Sequence, residues 1–252
     1  MELHYKILGH GEPLVILHGL FGTSDNWAGL ARQYAEHHTV VLVDLRNHGR
    51  SPHHPEMSYT HMAGDVLRLL EREWIHRINL MGHSMGGKVA MHMALDHPDL
   101  VDRLLVVDIG VKAYPGGHET ILEALRRLPI AEIRSRAEAE ESLRQWIPED
   151  AIVQFLLKNL AREGDGFRWK MNLEAIALHY PRILEAVEAR DSFDKPTRFL
   201  RGGRSRYIED ADWTGIREVF PRGELITIPQ AGHWVHAEQP QAFLEESLRF
   251  FN

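Results

Sequence analysis

Gly82-His83-Ser84-Met85-Gly86 decides how this chain is read. It follows the apolar run Ile78-Asn79-Leu80-Met81 and precedes a helix-forming run, Lys88-Val89-Ala90-Met91-His92-Met93-Ala94-Leu95. A serine between glycines at a strand-to-helix junction is the pattern of a nucleophile elbow. The turn is so tight that the serine takes strained backbone angles and bulkier neighbours would collide. Its hydroxyl is pushed clear of the sheet, with a helix N-terminus behind it to favour negative charge. The bare G-x-S-x-G pattern is common. A strand before it, a helix after it and a histidine near the C-terminus make it specific.

Outward from the elbow, short β-rich runs alternate with amphipathic helical stretches, which predicts a mostly parallel sheet covered on both faces. Strands are expected at Pro13–His18, Thr39–Asp44, from Ile78, at Leu104–Asp108, Thr197–Leu200 and Glu224–Ile228. Helices are expected at Asn26–His37, at Tyr59–Trp74 (with Met62, Val66, Leu69 and Leu70 at helical spacing), after the elbow, near Ile216 and from Pro240 to Phe250. The rhythm breaks between about Pro115 and Asp191, where the pattern is wholly helical. The chain therefore divides into a core, 1–114 and 192–252, and a helical cap insertion, 115–191. Pro148 suits the first turn of a cap helix carrying Ile152, Val153, Phe155, Leu156, Leu157 and Leu160. That apolar face is wide enough to pack within the cap and to line a pocket.

Composition narrows the function classes. The 252 residues are 44% hydrophobic, enough for one sizeable core, and the formal net charge of -7 argues against nucleic acid as a partner. With no cysteine, disulfides and thiolate chemistry are excluded. The N-terminus lacks a signal-peptide pattern, and no apolar run approaches the ~18 residues of a membrane span, so a cytoplasmic protein is expected. A monomer is compatible with the sequence. The 17 histidines lack the spacing and carboxylates of a metal site, and no metal is expected.

A serine hydroxyl needs a base to take its proton and an acid to orient that base. His233, in Gly232-His233-Trp234 after the last strand, is the expected base. His236 lies further toward the final helix, and the side chain of His83 is expected to point away from the nucleophile. Asp108, ending the strand after the elbow helix, is the expected acid, since a buried carboxylate there needs a strong partner. Asp44 ends a strand too, but in a turn that reads as structural, and Glu209, Asp210 and Asp212 come later, on the next helix. Two backbone donors would hold an oxyanion: the N–H of Met85, directly after the serine, and that of Leu20 in His18-Gly19-Leu20-Phe21-Gly22.

These residues resemble the α/β-hydrolase superfamily over essentially the whole chain, and more closely its small YbfF-like esterases. The closer resemblance rests on His18-Gly19-Leu20-Phe21-Gly22, Arg46-Asn47-His48-Gly49, Gly82 through Lys88, Gln154-Phe155-Leu156-Leu157-Lys158 and Gly232 through Glu238. It implies an α/β-hydrolase fold with an inserted helical cap, hydrolysis of esters and thioesters, and no cofactor. It also implies that the acid stands at Asp108, with Ser205 where the usual acid would be. Ser205 is accordingly expected to hydrogen-bond within the catalytic cluster. Carbon–carbon bond hydrolases, lyases, perhydrolases and a silent small-molecule binder share the scaffold and remain open alternatives.

The expected substrate is a small-molecule acyl ester or thioester of short to medium chain. Phe21 from the glycine-rich loop and Phe155, Leu156 and Leu160 from the cap are the expected apolar contacts. Arg198, Arg201, Arg204 and Arg206 are either a site for a phosphate-bearing leaving group such as CoA or ordinary solvated charge.

Overall fold

Successive side chains of a strand project to opposite faces, so a run such as Leu14-Val15-Ile16-Leu17 needs cover on both sides. A computed structural model describing residues 1–252 provides it. In chain order come β1 (Tyr5–Leu8), β2 (Glu12–Leu17), α1 (Ala28–Tyr34), β3 (His38–Val43), α2 (Tyr59–Arg72), β4 (Ile78–His83), α3 (Met85–Asp96) and β5 (Val101–Val107). Then follow α4 (Glu119–Arg127), α5 (Arg136–Arg144), α6 (Asp150–Leu157), β6 (Leu160–Glu163), β7 (Gly166–Trp169) and α7 (Leu173–Ile183). The chain closes with β8 (Thr197–Gly202), α8 (Trp213–Val219), β9 (Gly223–Ile228), α9 (Val235–Glu238) and α10 (Pro240–Phe251). No helix is long and apolar enough to cross a membrane.

Seven strands form one sheet in the order β1-β3-β2-β4-β5-β8-β9, parallel except where β1 meets β3. The alternation divides the core. Leu14 and Ile16 of β2, with Leu105 and Val107 of β5, pack against Leu30 and Tyr34 of α1 and Phe243 of α10. Val15, Leu17, Leu104 and Val106 face the other way, toward Met62 and Val66 of α2 and Val89 of α3. The sequence reading omits β1. None of its four residues is fully buried, no apolar alternation marks them, and they are held by pairing with β3.

Between β5 and β8 the chain leaves the sheet, and there the expectation of a wholly helical segment is corrected. After α6 the residues Leu160–Glu163 and Gly166–Trp169 form an antiparallel hairpin, with Leu160 opposite Trp169. Leu160, expected on the helix with Phe155 and Leu156, is therefore a strand residue. Asn159 turns the chain out of the helix: its Nδ2 donates to Leu156 O at 3.3 Å and to Phe21 O at 2.8 Å. Gly164, at φ 56°, permits the tight reversal that follows. Ala161, Arg162 and Glu163 are good helix formers, which is why their periodicity misleads. Pro148 lies just before the N-cap, Glu149, and not within the first turn of α6.

The two ends of this excursion meet. Tyr114 N–H donates to Leu184 O and Val187 N–H to Val111 O, both at 2.8 Å. Beneath them lies the buried Lys88, one turn along α3 from the elbow. Its Nζ donates to Lys112 O at 3.0 Å and to Glu185 O, so one ammonium grips both connections between cap and core. The Tyr114 ring lies 4.9 Å from it, and the acceptor at Glu185 sits just past the negative end of α7.

Burial pushes the Lys88 ammonium down from its ordinary value to about 8, against a smaller opposing pull from Glu185. Above that value the folded chain holds fewer protons here than the unfolded chain, which still binds one until its ordinary lysine range. Lys88 therefore adds stability as pH rises from about 8 toward 10.5. In urea unfolding, the stability of the wild type relative to Lys88→Met is expected to increase across that window. A difference flat with pH would mean that the ammonium is not desolvated.

Candidate active site

The turn between β4 and α3 is the most constrained point of the backbone. Ser84 has φ 52° and ψ -120°, in the left-handed half of the map that a side chain enters only under constraint. A side chain at Gly82 would strike the backbone of Gly86, and one at Gly86 would strike the carbonyls of Leu17 and His18. Only glycine at both positions lets α3 start this close to the sheet. Ser84 N–H donates to Val107 O at 3.0 Å, which ties the elbow to the end of β5.

Asp108 follows β5 directly, is fully buried and also has positive φ, at 49°. Three donors meet its carboxylate. His233 Nδ1 donates to Oδ2 at 2.7 Å, Ser205 Oγ also donates to Oδ2, and Gly202 N–H donates to Oδ1 at 3.0 Å. The imidazole thus presents Nε2 away from the carboxylate. Tyr207 stacks on that ring, with centroids 3.9 Å apart and planes at 18°. From the other side His83 Nε2 donates to His233 O at 2.9 Å. His83, whose side chain is expected to point away from Ser84, thus engages the backbone of His233, and both His83 and Ser84 border one cavity. Burial holds it well below the usual histidine range, and it donates as a neutral ring.

The other candidates lie elsewhere. His236 stacks on Trp27 at 4.1 Å and is kept uncharged by burial, at about 3. Asp44 accepts from Ser24 N–H at 2.6 Å and Arg50 N–H at 2.9 Å, which closes the turn after β3. Asp210 pairs with Arg201 at 2.7 Å, and Asp212 with Lys112 at 2.6 Å. No cluster of three or more metal-ligating side chains is arranged to hold an ion.

Leu20 lies in a loop fixed by two buried histidines. His18 Nδ1 donates to Gly19 O at 2.8 Å while its Nε2 accepts Leu45 N–H at 3.0 Å. His48 Nδ1 donates to Arg46 O at 2.9 Å while its Nε2 accepts Phe21 N–H at 3.3 Å. Each ring gives with one nitrogen and receives with the other, which only the neutral form can do. Burial depresses both, His48 to about 3. Phe21 itself sits at φ 59°, and its carbonyl accepts from Asn159 at the edge of the cap. No turn or loop hydrogen bond claims the N–H of Leu20 or of Met85. Met85 opens α3 and has no acceptor within the helix.

Ser84, His233, Leu20 and Phe21 face a cavity of about 250 Å³ closed by Ile121, Ile152, Phe155, Leu156 and Trp234. No direct hydrogen bond joins Ser84 to His233 here; contacts of this kind often tighten only around substrate. Leu160, the fourth expected contact, does not line the cavity, because the hairpin carries it away. Tyr207, His118 and Trp234 were not anticipated as wall residues. Trp234 adjoins His233 in a motif already noted, whereas nothing local marks Tyr207 or His118. Of the four arginines, Arg198 pairs with Glu224 at 2.8 Å and Arg204 with Glu238 at 3.1 Å, Arg201 pairs as above, and Arg206 is exposed.

Comparison with known proteins agrees with this architecture. Residues 12–240 match the model of the alpha/beta hydrolase fold family. The chain is 40% identical to the mouse sn-1-specific diacylglycerol lipase ABHD11, over 99% of this chain and 85% of the mouse protein. It is 36% identical to esterase YbfF of Escherichia coli, over 96% and 94% of the two chains. A solved structure described as a marine microorganism esterase superposes with a TM-score of 0.97 at 41% identity, covering 99% of each chain. By fold, by strand order and by relatives alike, the chain belongs to the α/β-hydrolase family.

Proposed function

We propose that this protein is a serine carboxylic ester hydrolase, cleaving acyl esters or acyl-CoA thioesters of short to medium chain through an acyl-enzyme. The observation that carries the reading is the buried Asp108–His233 hydrogen bond of 2.7 Å on a cavity that also holds the strained Ser84. Esterase and lipase relatives at 36–40% identity support the reaction class.

In this reading His233 Nε2 takes the Ser84 proton as Oγ attacks the carbonyl carbon. Asp108 fixes the tautomer of His233 and stabilises the imidazolium that forms. The free N–H groups of Leu20 and Met85 meet the developing oxyanion, and the N-terminal end of α3 adds to that field. His233 then protonates the leaving group. Water, deprotonated by the same imidazole, releases the acid and restores Ser84. Ser205 occupies one lone pair of Asp108 and so helps to orient a carboxylate that must not rotate away from His233. Phe21, Phe155 and Leu156 contribute apolar wall for the substrate. Because Arg198, Arg201 and Arg204 are ion-paired, their charge is largely neutralised locally, which favours solvated structural charge over a phosphate site.

Ser84→Ala is expected to lower turnover of p-nitrophenyl esters by on the order of 10⁴ to 10⁶ while the thermal unfolding profile stays near wild type. It should also abolish labelling by a fluorophosphonate probe; a folded Ser84→Ala protein that still hydrolyses esters efficiently would refute the nucleophile.

Asp108→Asn should cost about 10⁴ in rate through the wrong imidazole tautomer. Asp210→Asn, which touches only Arg201, should cost little. If the Asp210 change cripples the enzyme and the Asp108 change does not, the acid is misassigned.

Ser205→Ala is expected to reduce kcat more than it raises KM, because it loosens Asp108 without touching the cavity. An unchanged kcat would make Ser205 a bystander.

A further inference from the structure

Two chambers, not one, open from Ser84. The first is the cavity of about 250 Å³ already described, which His233 fronts. The second, of about 30 Å³, lies on the Met85 side and is walled by Tyr59, Ile109, Tyr114, Ile183 and Leu184. Leu20, Ser84, His118 and Tyr207 border both; His233 and Phe155 border only the larger, Met85 only the smaller.

This division sorts the two halves of an ester, given the proposed roles of Ser84 and His233. In the tetrahedral intermediate the carbon carries four groups: Ser84 Oγ, the oxyanion, the acyl chain and the leaving oxygen or sulfur. Expulsion breaks the bond to the leaving atom and restores the carbonyl, and the proton His233 took from Ser84 moves to that atom. The leaving atom must therefore lie on the side that His233 fronts. The oxyanion lies toward the N–H groups of Leu20 and Met85. The acyl chain is left with the opposite side of Ser84, where the smaller chamber begins. Hydrolysis of the acyl-enzyme brings water in from the His233 side and leaves the acid in that chamber.

The smaller chamber has little volume, and two of its wall residues are pinned by hydrogen bonds. Tyr59 OH donates to Ile183 O at 2.6 Å, and Tyr114 OH donates to Tyr207 O at 2.7 Å. Lys88, with both tyrosine rings over its ammonium, lies below them and holds the cap connections. At roughly 10–15 Å³ for one water-sized group, the space takes about two or three non-hydrogen atoms beyond the carbonyl carbon. A longer chain would have to displace these tyrosines from their hydrogen bonds. The larger chamber, bounded by Ile121, Ile152, Phe155 and Trp234, suits a bulky apolar group.

We infer that the enzyme is selective for short acyl groups, of about two to four carbons, carried on a bulky apolar alcohol or thiol. Phe155 and Leu156 then recognise the leaving group and not the acyl chain. The inference rests on the esterase reading of the same site and adds which half of the substrate each chamber holds.

Two substrate series test it on the intact protein: p-nitrophenyl esters from acetyl to decanoyl, and acetate esters of ethanol, benzyl alcohol and 1-naphthol. In the first, kcat/KM should fall about tenfold or more between butyryl and octanoyl, the scale of forcing extra methylenes into a packed site. In the second it should rise from ethyl to benzyl acetate, two unactivated esters. Ile183→Ala, or Ile183→Val should the larger truncation not fold, should move the acyl optimum to longer chains. Phe155→Ala should flatten the alcohol series and leave the acyl optimum where it was. A wild-type optimum at octanoyl or beyond, or an acyl optimum that moves with Phe155 and not with Ile183, would overturn the inference while leaving an esterase. Absence of hydrolysis across both series, with no fluorophosphonate labelling of Ser84, would overturn the esterase reading and this inference with it.

Discussion

The close approach of helix α3 to the end of β2 is the constraint on which the rest of the molecule depends. Gly86 lies against the carbonyls of Leu17 and His18, and Gly82 against Gly86, with no room for a β-carbon at either. That contact forces Ser84 into its left-handed conformation and leaves the Met85 N–H without an acceptor. It also brings the loop of Leu20 beside Ser84. One turn further along the same helix, Lys88 reaches the two chains that carry the cap. Ser84, the Met85 N–H and the cap attachment are thus referred to one rigid element. Sites placed this way hold their geometry better than sites built on loops alone.

Four buried histidines serve the architecture around the site. His18 and His48 are buried rings that each tie two backbone groups together, His83 donates to the backbone of His233, and His236 stacks on Trp27. Burial keeps these four rings uncharged, and an uncharged ring can both donate and accept where an imidazolium can only donate. The loop carrying Leu20 and the backbone of His233 are therefore positioned by groups that take no direct part in the proposed chemistry. His233 differs in kind: it is only partly buried, and it has a carboxylate on one nitrogen and an open cavity on the other.

Asp108 directly follows β5, and Ser205 sits in the loop after β8. Placing the carboxylate at Asp108 puts it at the end of a central strand, where Gly202 N–H and Ser205 Oγ can both donate to it and water is excluded. Such a carboxylate keeps its orientation because its acceptor positions are occupied. The stacking of Tyr207 on His233 limits ring rotation in the same way.

Much of this was legible in the chain itself. The short continuous apolar runs, the glycines around Ser84, and Asp108 and His233 at strand ends are local signals, because turn sterics and two-sided strand burial act over a few residues. They sufficed for the sheet, its covering helices, the elbow and the candidate acid and base. Where contacts between distant segments outweigh local preference, the chain misled or stayed silent. Ala161-Arg162-Glu163 favours a helix, yet Asn159 is drawn to Phe21, some 138 positions away in the chain, and the segment pairs as a hairpin that takes Leu160 out of the cavity. β1 exists only through its pairing with β3. Tyr207 against His233, Lys88 beneath the cap connections, and the split of the cavity into a large and a small chamber likewise arise from side chains far apart in sequence. Local sterics determined what the site is made of; long-range packing alone decided its shape.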